Sequence, residues 1–428
     1  MDATEPALIR RRGALWSLLR RNADFRLLFG ASVVSLLGDW FAFVAVSGLV
    51  RDLTGSDGAA AVVYAASVLP VFLASPFAGV VADRVDRKRM MIGVDVARVV
   101  PALGLLAAAA SGRAWLAVLC VVAIAVLSAF FEPVVSAVLP NLVDDGDLSL
   151  AQATMGAVWG TMLFVGAAVG GLVAQTLGRD ATFGVNAATF LVSAALLVRI
   201  RRPFRRGPVA APATVFAYLG EVWAFVGPRK LTRALMLTKT GVGIGNGIVG
   251  LLPAFALRYG AGDGAIGLLL AARGLGALLG PFVGRALSRG DGRRLLVVCG
   301  SSIVGYAVAY AFLPLTDSLA VAAVCVVLAH AGGGSQWVLS TYGLQTTTPD
   351  EMRGRVMSLD FGLATLAVGV SALAAGGAAE VVGLRATSWA LVALSLLYGG
   401  GWLVWTRDLW RAPPPPPSPG VSAELRQP

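Results

Sequence analysis

Long apolar blocks separated by short polar stretches run along almost the whole chain. A helix that crosses a bilayer needs about 20 predominantly apolar residues, and windows of that size identify twelve candidate spans. They cover roughly residues 27–50, 58–81, 91–110, 114–139, 149–176, 181–199, 234–257, 263–287, 295–315, 318–344, 356–381 and 386–405. The pattern therefore predicts an all-α membrane protein, and we number these segments as spans 1 to 12.

The composition excludes an ordinary soluble protein. Of the 428 residues, 57% are hydrophobic and only 14% are charged, and the mean hydropathy is +0.76. A soluble protein of this length needs a more polar exterior. The net charge of +11 would suggest nucleic-acid binding in a soluble protein. In a membrane protein the same excess is expected in cytoplasmic loops, so we predict no nucleic-acid partner and a lipid bilayer as the surroundings.

The positions of the 35 Lys and Arg residues predict the orientation of the chain. With the N-terminus inside, 28 of them fall on the cytoplasmic side, five fall outside, and Lys239 and Arg273 lie within spans. Because basic residues collect in cytoplasmic loops, we expect a multi-pass protein of the inner (plasma) membrane with both termini cytoplasmic. Residues 1–26 lack the uninterrupted apolar stretch of a signal peptide and are interpreted as a cytoplasmic segment on the bilayer surface.

A gapless internal repeat at an offset of 205 residues divides the chain into two halves. The loops after spans 2 and 8 match at Pro76 and Pro281, Phe77 and Phe282, Gly79 and Gly284, Arg84 and Arg289, and Asp86 and Asp291. Both copies lie on one side, so an axis along the membrane normal should relate the halves. We predict six-helix bundles at 27–200 and 234–406, a linker at 201–233 with a short helix near 215–226, and a Pro-rich cytoplasmic tail at 407–428.

Several motifs resemble those of the major facilitator superfamily. The loop Gly79-x-x-x-Asp83-Arg84-x-x-Arg87-Lys88 is similar to the signature that this superfamily carries after its second helix. Other stretches resemble its branch of drug–proton antiporters typified by macrolide-efflux and enterobactin-export proteins: Asn22-x-x-Phe25-Arg26, Gly38-Asp39, Asp95-x-x-Arg98, Pro140-Asn-Leu-Val, and Pro349-Asp350-Glu351-x-Arg353-Gly354-Arg355. The resemblance implies two pseudo-symmetric bundles of six helices each and secondary transport.

Two departures limit what this resemblance implies about coupling. The Gly-Pro-x-x-Gly-Gly element of related antiporters lacks its proline here, because Ala167 follows Gly166 in span 5. An Arg-x-x-Gln-Gly element in span 4 is absent as well. Proton coupling through that arginine is therefore not transferred to this chain.

The duplicated loop predicts an asymmetric cytoplasmic gate. Gly79 would allow close helix packing, and Asp83 could face the N-terminus of a neighbouring helix, which the resemblance implies to be span 11. Arg84, Arg87 and Lys88 would lie at the headgroup level, or serve only as positive-inside anchors. The second copy, with Gly284 and Arg289, carries Ser288 in place of Asp83; a serine can cap a helix but has no charge.

Charges inside the spans are the best functional candidates, because an isolated charge is costly in a bilayer. Asp39 lies near the middle of span 1 with Ser32 and Ser35 on its face, and could carry a proton or form a structural hydrogen bond. Arg273 in span 8 shares a face with Gly276, Gly280 and Gly284. It could bind an anionic substrate group, or pair with Asp39 or Glu132.

The remaining intramembrane candidates are less specific. Glu132 in span 4 could recognise a cationic drug, carry a proton, or have a structural role, and its repeat counterpart in span 10 is Trp337. His330, the single histidine, could exchange a proton or sit satisfied in the core. Lys239 is explained by snorkelling from the end of span 7. The candidate lining of the cavity is Ser35, Asn246, Gln336 and Trp337.

No motif supports catalysis, so we predict a protein that is not an enzyme and has no cofactor. There is no P-loop, and Cys120, Cys299 and Cys325 have neither metal nor disulfide spacing. The first hypothesis is a monomeric exporter of amphipathic small molecules by proton antiport with alternating access. The alternatives are an uncoupled facilitator for a specific metabolite or siderophore, and a transport-inactive scaffold or sensor of the same fold.

Overall fold

The computed structural model describes residues 15–204, 215–260 and 262–411, and these residues are almost entirely helical. A short helix at 15–21 precedes fifteen helices that we number in chain order. They are α1 (Ala23–Thr54), α2 (Ala59–Arg84), α3 (Arg87–Ser111), α4 (Ala114–Leu142), α5 (Asp145–Leu177), α6 (Arg179–Val198), α7 (Val215–Val226), α8 (Lys230–Gly245), α9 (Gly247–Arg258), α10 (Gly262–Ser288), α11 (Gly292–Ala311), α12 (Leu319–Thr347), α13 (Asp350–Val382), α14 (Leu384–Trp405) and α15 (Arg407–Arg411).

The predicted spans correspond to these helices one by one. Spans 1 to 6 are α1 to α6, span 7 is α8 and α9 together, and spans 8 to 12 are α10 to α14. Within the described residues, eleven of these segments are long and apolar enough to cross a membrane. The remaining one, α2, has a shorter described apolar stretch at Ala59–Ala74. Helix α7 occupies the position predicted for the short linker helix.

The two halves repeat one packing pattern. In the first half α1 packs on α5 and α6, α3 packs on α4 and α6, and α2 packs on α4. In the second half α8 packs on α13 and α14, α11 packs on α12 and α14, and α10 packs on α12. These pairs are equivalent under the sequence repeat, so the predicted duplication is realised in three dimensions.

Local backbone features also repeat at the offset of 205 residues. Asp86 and Asp291 both cap helices: Asp86 accepts from the Arg89 amide at 2.9 Å, and Asp291 accepts from the Arg293 amide at 2.8 Å. The connections that follow α5 and α13 are single glycines, Gly178 and Gly383, each with φ of 85°. A side chain is strained in that left-handed region, so both tight connections require glycine.

The halves contact each other through α5 with α10 and through α2 with α13. At the α5–α10 crossing, a Cβ on Gly171 would lie 2.7 Å from the Gly267 Cα, so the two backbones touch. The other face of α10 packs on α12, where a Cβ on Gly276 would lie 2.4 Å from the Val327 carbonyl oxygen and one on Gly280 2.4 Å from that of Ala331. The predicted tight-packing face of span 8 is thus present.

Span 7 is broken into α8 and α9 at Asn246. The freed backbone groups bind α13: the Gly247 amide donates to Ser371 Oγ at 3.0 Å, and that hydroxyl donates to the Ile244 carbonyl. A break deep in a membrane helix is tolerated only where neighbouring helices satisfy the backbone. We call the end of the bundle that carries α7 the linker face, and the other end the opposite face.

Candidate transport site and contacts between the halves

Asp39 lines a small polar cavity inside the first half. The cavity has a volume of about 70 Å³ and lies among α1, α3 and α4, with the lining Ser32, Ser35, Leu36, Asp39, Arg98, Ser128 and Phe131. That volume has room for a few water molecules. The structure therefore places the carboxylate and the serines predicted on its helix face around one cavity. It adds a cation, Arg98, which the pattern on that face did not predict.

Arg98 is held by a buried network behind this cavity. Its guanidinium donates to Ser35 Oγ at 3.3 Å and to Asp95 Oδ1 at 3.2 Å, and Ser193 donates to the other Asp95 oxygen at 2.6 Å. The guanidinium also lies over the ring of Phe131 at 5.0 Å. The distribution of basic residues predicts Arg98 on the cytoplasmic side, because only Lys239 and Arg273 are placed within spans. This prediction is wrong, because Arg98 is buried well inside α3.

Arg273 projects from the second half into an aromatic cluster of the first half. Its guanidinium donates to the Tyr64 hydroxyl at 3.1 Å and lies 5.8 Å from the Trp159 ring and 6.0 Å from the Trp40 ring. The residue is only 8% exposed, and within the described part of the chain it forms neither an ion pair with Asp39 nor one with another carboxylate. Aromatic rings stabilise a guanidinium through their electron-rich faces.

His330 lies inside the second half, where it packs against two tyrosines of α11. The Tyr310 hydroxyl and His330 Nε2 are 2.9 Å apart, and the rings of Tyr306 and Tyr310 meet the imidazole edge to face. Gly276 of α10 packs against the His330 Cβ and the Ala331 backbone nitrogen. These contacts place His330 among hydrogen-bonded core residues.

Lys239 is paired with Asp360, a residue that the sequence patterns did not single out. The Nζ of Lys239 donates to Asp360 Oδ2, and the two side chains are 2% and 1% exposed. The ammonium also lies 5.2 Å from the ring centroid of Trp337, which in turn meets Phe361 edge to face. The snorkelling interpretation of Lys239 is wrong, because α8 already begins at Lys230 and its packing on α13 buries the side chain.

The other predicted cavity residues have separate surroundings. Gln336 of α12 is fully buried and donates to Thr238 of α8 at 2.5 Å, so it joins two helices of one half. Asn246 donates to the Val242 carbonyl at 3.1 Å at the α8–α9 break. Glu132 lies outside the described side chains, so its predicted position opposite Trp337 stays a prediction.

The duplicated loop is described in part. The side chains of Gly79, Asp83 and Arg84 lie outside the described residues, and Arg87 begins α3. Lys88 donates to the carbonyls of Val198 and Ile200 at 2.9 and 2.7 Å, where it neutralises the end of α6. In the second copy Gly284 packs on Ser335, Ser288 donates to the Arg285 carbonyl of its own helix at 3.2 Å, and Arg289 is exposed with φ of 48°.

At the opposite face, charged side chains join the halves. Arg179 of α6 donates to both oxygens of Asp263 on α10, at 2.7 and 2.9 Å, and to Asp52 of α1 at 2.8 Å. We call these three residues the Arg179 cluster. Glu380 at the end of α13 accepts from the Ser56 hydroxyl at 2.6 Å and from the Gly58 amide at 2.7 Å, so a carboxylate caps the start of α2.

A second helix start is capped in the same way. Gln175, the repeat counterpart of Glu380, accepts from the Gly264 amide at the start of α10, at 3.3 Å. Each half therefore reaches across to a helix start of the other half. Sequence patterns gave no signal for the Arg179 cluster, because Arg179 and Asp52 lie in predicted loops and Asp263 lies at the edge of span 8.

Two pseudo-symmetric bundles of six helices, with buried charges at their centre and along their contact, define a polytopic membrane transporter. The chain belongs to the Major Facilitator Superfamily, whose family model matches residues 28–359 and 246–428. This membership confirms the fold and the resemblance predicted from the loop motifs. The same membership shows that the chain is a multi-pass membrane protein that transports a small molecule, and that it is not an enzyme.

Characterised relatives cover most of the chain. It is 29% identical over 397 residues to "Multidrug efflux pump Tap" of Mycolicibacterium fortuitum, with 89% of this chain and 95% of the relative covered. It is 26% identical over 355 residues to "Enterobactin exporter EntS" of Salmonella choleraesuis, with 80% and 82% covered. One relative is named for drug efflux and the other for enterobactin export, in agreement with the branch that the sequence motifs resemble.

Solved structures share the fold at low sequence identity. A bacterial homologue of the human lysosomal transporter Spinster, in an inward-facing and unoccupied conformation, superposes with a TM-score of 0.73 at 15% identity, covering 91% of this chain and 98% of that one. The nucleoside transporter NupG superposes with a TM-score of 0.72 at 11% identity, covering 90% and 99%. These likenesses concern the fold alone.

Proposed function

We propose that this chain exports amphipathic small molecules in exchange for protons, with Asp39 as the carboxylate that carries the proton. The observation behind the proposal is the polar cavity of about 70 Å³ that joins Asp39 to Arg98 and three serines. A carboxylate deep in a membrane protein is costly unless it meets water or a partner. One that borders a cavity with room for water can exchange a proton with it.

Amphipathic cargo is supported by the relatives and by the contact between the halves. The two relatives are named for the efflux of drugs and the export of a siderophore. Where the halves meet, Trp40, Tyr64 and Trp159 surround the Arg273 guanidinium, and Trp159 is 47% exposed. Such a surface offers flat apolar area next to one cation, which suits molecules that combine aromatic and polar parts.

Alternating access is supported by where the described charged contacts between the halves lie. The Arg179 cluster and Glu380 join the halves at the opposite face, which the charge distribution predicts to be extracellular. We therefore infer that this conformation is closed toward the outside, and that the exporter takes up its cargo from the linker face. Rocking of the halves about the central site would then break these contacts and release the cargo.

The test is ethidium transport into inside-out membrane vesicles, with and without an acidified lumen, preceded by a drug-susceptibility panel in an efflux-deficient host. Wild-type protein should accumulate the probe only when the lumen is acidic, and Asp39→Asn should lose this dependence. Asp180→Asn, an exposed carboxylate on α6, is the matched control and should behave as wild type. Efflux that ignores the proton gradient in all variants would support an uncoupled facilitator. Failure to move any compound of the panel would favour a scaffold.

A further inference from the structure

The Lys239–Asp360 pair lies deep in the second half and joins α8 to α13. Helices α8 and α13 begin at Lys230 and Asp350, so both charges are more than two helical turns inside the membrane-spanning segments. Helix α13 packs on α2 of the first half, and so does α9, the continuation of α8. A change at this pair is therefore positioned to alter how the halves meet.

The pair is almost isolated from other charges. Neither residue has a second ionic partner within the described residues, and Asp360 Oδ1 is buried without a hydrogen bond from them. Among the described residues, the helices packed against α8 contribute three further titratable side chains in its interior. They are Cys299 of α11, Tyr306 of α11 beside Gly245, and Tyr398 of α14, whose hydroxyl donates to the Leu237 carbonyl at 2.7 Å. At the start of α8, the exposed Asp408 pairs with Lys230. Helix α12 places Trp337 and Gln336 near the pair, and neither side chain ionises.

Toward the start of α13, two further cations have partners of their own. Arg353 donates to the Thr348 carbonyl at 3.3 Å, and Arg355 pairs with Glu221 of α7 at the linker face. Among the described residues, the Lys239 ammonium is the ionic partner of the Asp360 carboxylate.

Helix packing alone does not explain the pair. Helices α8 and α13 are already joined at the Asn246 break, where Ser371 binds the Ile244 carbonyl and the Gly247 amide. Replacing a buried ion pair by apolar residues is often neutral or stabilising. Ionisable groups kept inside a membrane protein more often mark a proton or substrate pathway.

We propose that Asp360 is a second proton-binding carboxylate, located in the half opposite Asp39, and that Lys239 holds its deprotonated form. As the Nζ–Oδ2 contact opens, Asp360 takes one proton from water that reaches the opened contact. It releases that proton to water when the contact re-forms. Lys239 keeps its own proton throughout, so the site gains one positive charge in the open form. This inference rests on the proposed function and extends it by a second coupling site.

The main test is a double variant, Lys239→Met with Asp360→Leu, which removes both charges together. Its matched control is Lys230→Met with Asp408→Leu, because that pair also joins α8 to another helix but is exposed, with side chains 32% and 58% accessible. Ethidium uptake into inside-out vesicles is measured in two ways: driven by an acidic lumen, and downhill without a proton gradient. A purely structural role would lower both rates together.

We expect the double variant to lose about tenfold in gradient-driven uptake, within the range of typical coupling energies, and to keep its downhill rate. The control should match wild type in both assays. Gradient-driven uptake at the wild-type rate in the double variant would overturn the proposal. So would equal losses in both assays.

A second variant keeps the test decisive if the double variant does not fold. Asp360→Glu preserves the ion pair but shifts the carboxylate by one methylene, so the pH profile of gradient-driven uptake should change while downhill uptake does not. An unchanged profile would contradict the proposal. If Asp39→Asn loses the gradient dependence while the Lys239 and Asp360 variants keep it, the second proton site is rejected and the proposed function stands. Gradient-independent transport by wild type would instead remove the proposed function itself.

Discussion

Arg179 of α6 and Asp263 of α10 form a two-pronged ion pair, with N–O distances of 2.7 and 2.9 Å, between residues of different halves. Asp263 is buried and Arg179 is 22% exposed, so water screens this pair only in part. The same guanidinium also holds Asp52 of its own half. The pair therefore stabilises the conformation in which the halves meet at the opposite face. In the proposed transport cycle this contact would break when the halves separate there.

Asp263→Asn should shift the protein toward a conformation that is open at the opposite face. Removing one partner of a partly buried ion pair costs on the order of 1–3 kcal/mol, or roughly 5- to 150-fold in the conformational equilibrium. Spin labels at Leu53 on α1 and Val381 on α13, both exposed, would report a longer mean distance. Arg385→Gln is the control, because its pair with Asp317 at 3.5 Å lies within the second half. Equal distances in Asp263→Asn and wild type would contradict the proposed role.

Two glycines of α5, Gly171 and Gly160, should change the stability of the protein in opposite directions when each is replaced by alanine. Gly171→Ala should destabilise the contact between the halves, because its new Cβ would meet the α10 backbone at 2.7 Å, and overpacking costs about 1–3 kcal/mol. Gly160→Ala, where nothing lies within 4 Å of the added Cβ, should be neutral or stabilising by up to about 1 kcal/mol. Thermal unfolding of the two purified variants in detergent measures this difference. A common sign would refute the interface contact.

The buried Asp95–Arg98 pair should be needed for stability as a unit. Arg98→Met leaves the Asp95 carboxyl buried without its ionic partner, which costs about 3–5 kcal/mol, so the folded yield and melting temperature should fall strongly. Adding Asp95→Asn removes the unpaired carboxyl and should restore much of the loss. Fluorescence-detected size-exclusion chromatography after heating provides the measurement. If the double variant is no more stable than Arg98→Met, the two residues do not act as a pair.

The duplicated loop should be functionally asymmetric. Asp83→Asn is expected to lower transport without preventing membrane insertion, because a carboxylate near a helix start contributes about 0.3–1 kcal/mol. Ser288→Ala should have little effect, since the Ser288 hydroxyl bonds only within its own helix in the described structure. Initial rates of ethidium uptake, normalised to protein in the vesicles, test both. Equal losses in the two variants would argue for a symmetric gate.

A large part of the architecture could be predicted because it depends on local properties. The length of each apolar run identified the twelve spans, and the offset of 205 residues identified the two halves. The same offset explains why Asp86 and Asp291 cap equivalent helices. It also explains the positive φ shared by Gly178 and Gly383. Such features need only a few neighbouring residues, so they can be read along the chain.

The pairing of charges inside the bundle could not be predicted in the same way. Asp360 was visible as a carboxylate within span 11, and this was a usable signal. Its partner Lys239 lies 121 positions away, and their contact depends on how α8 and α13 are rotated against each other. Hydropathy carries no information on that rotation, so it predicts neither the ion pair of Lys239 nor the burial of Arg98.

The sequence by itself determined that this protein crosses the membrane repeatedly in two related halves, because apolar length and repetition are properties of the chain. It also predicted that Asp39 and the serines near it share one helix face, since helical periodicity sets that geometry. Only the tertiary structure decided which charges meet, as with Arg179 and Asp263 or Lys239 and Asp360. In low-dielectric surroundings a charge is tolerated according to its partners, and those partners are chosen by helix packing.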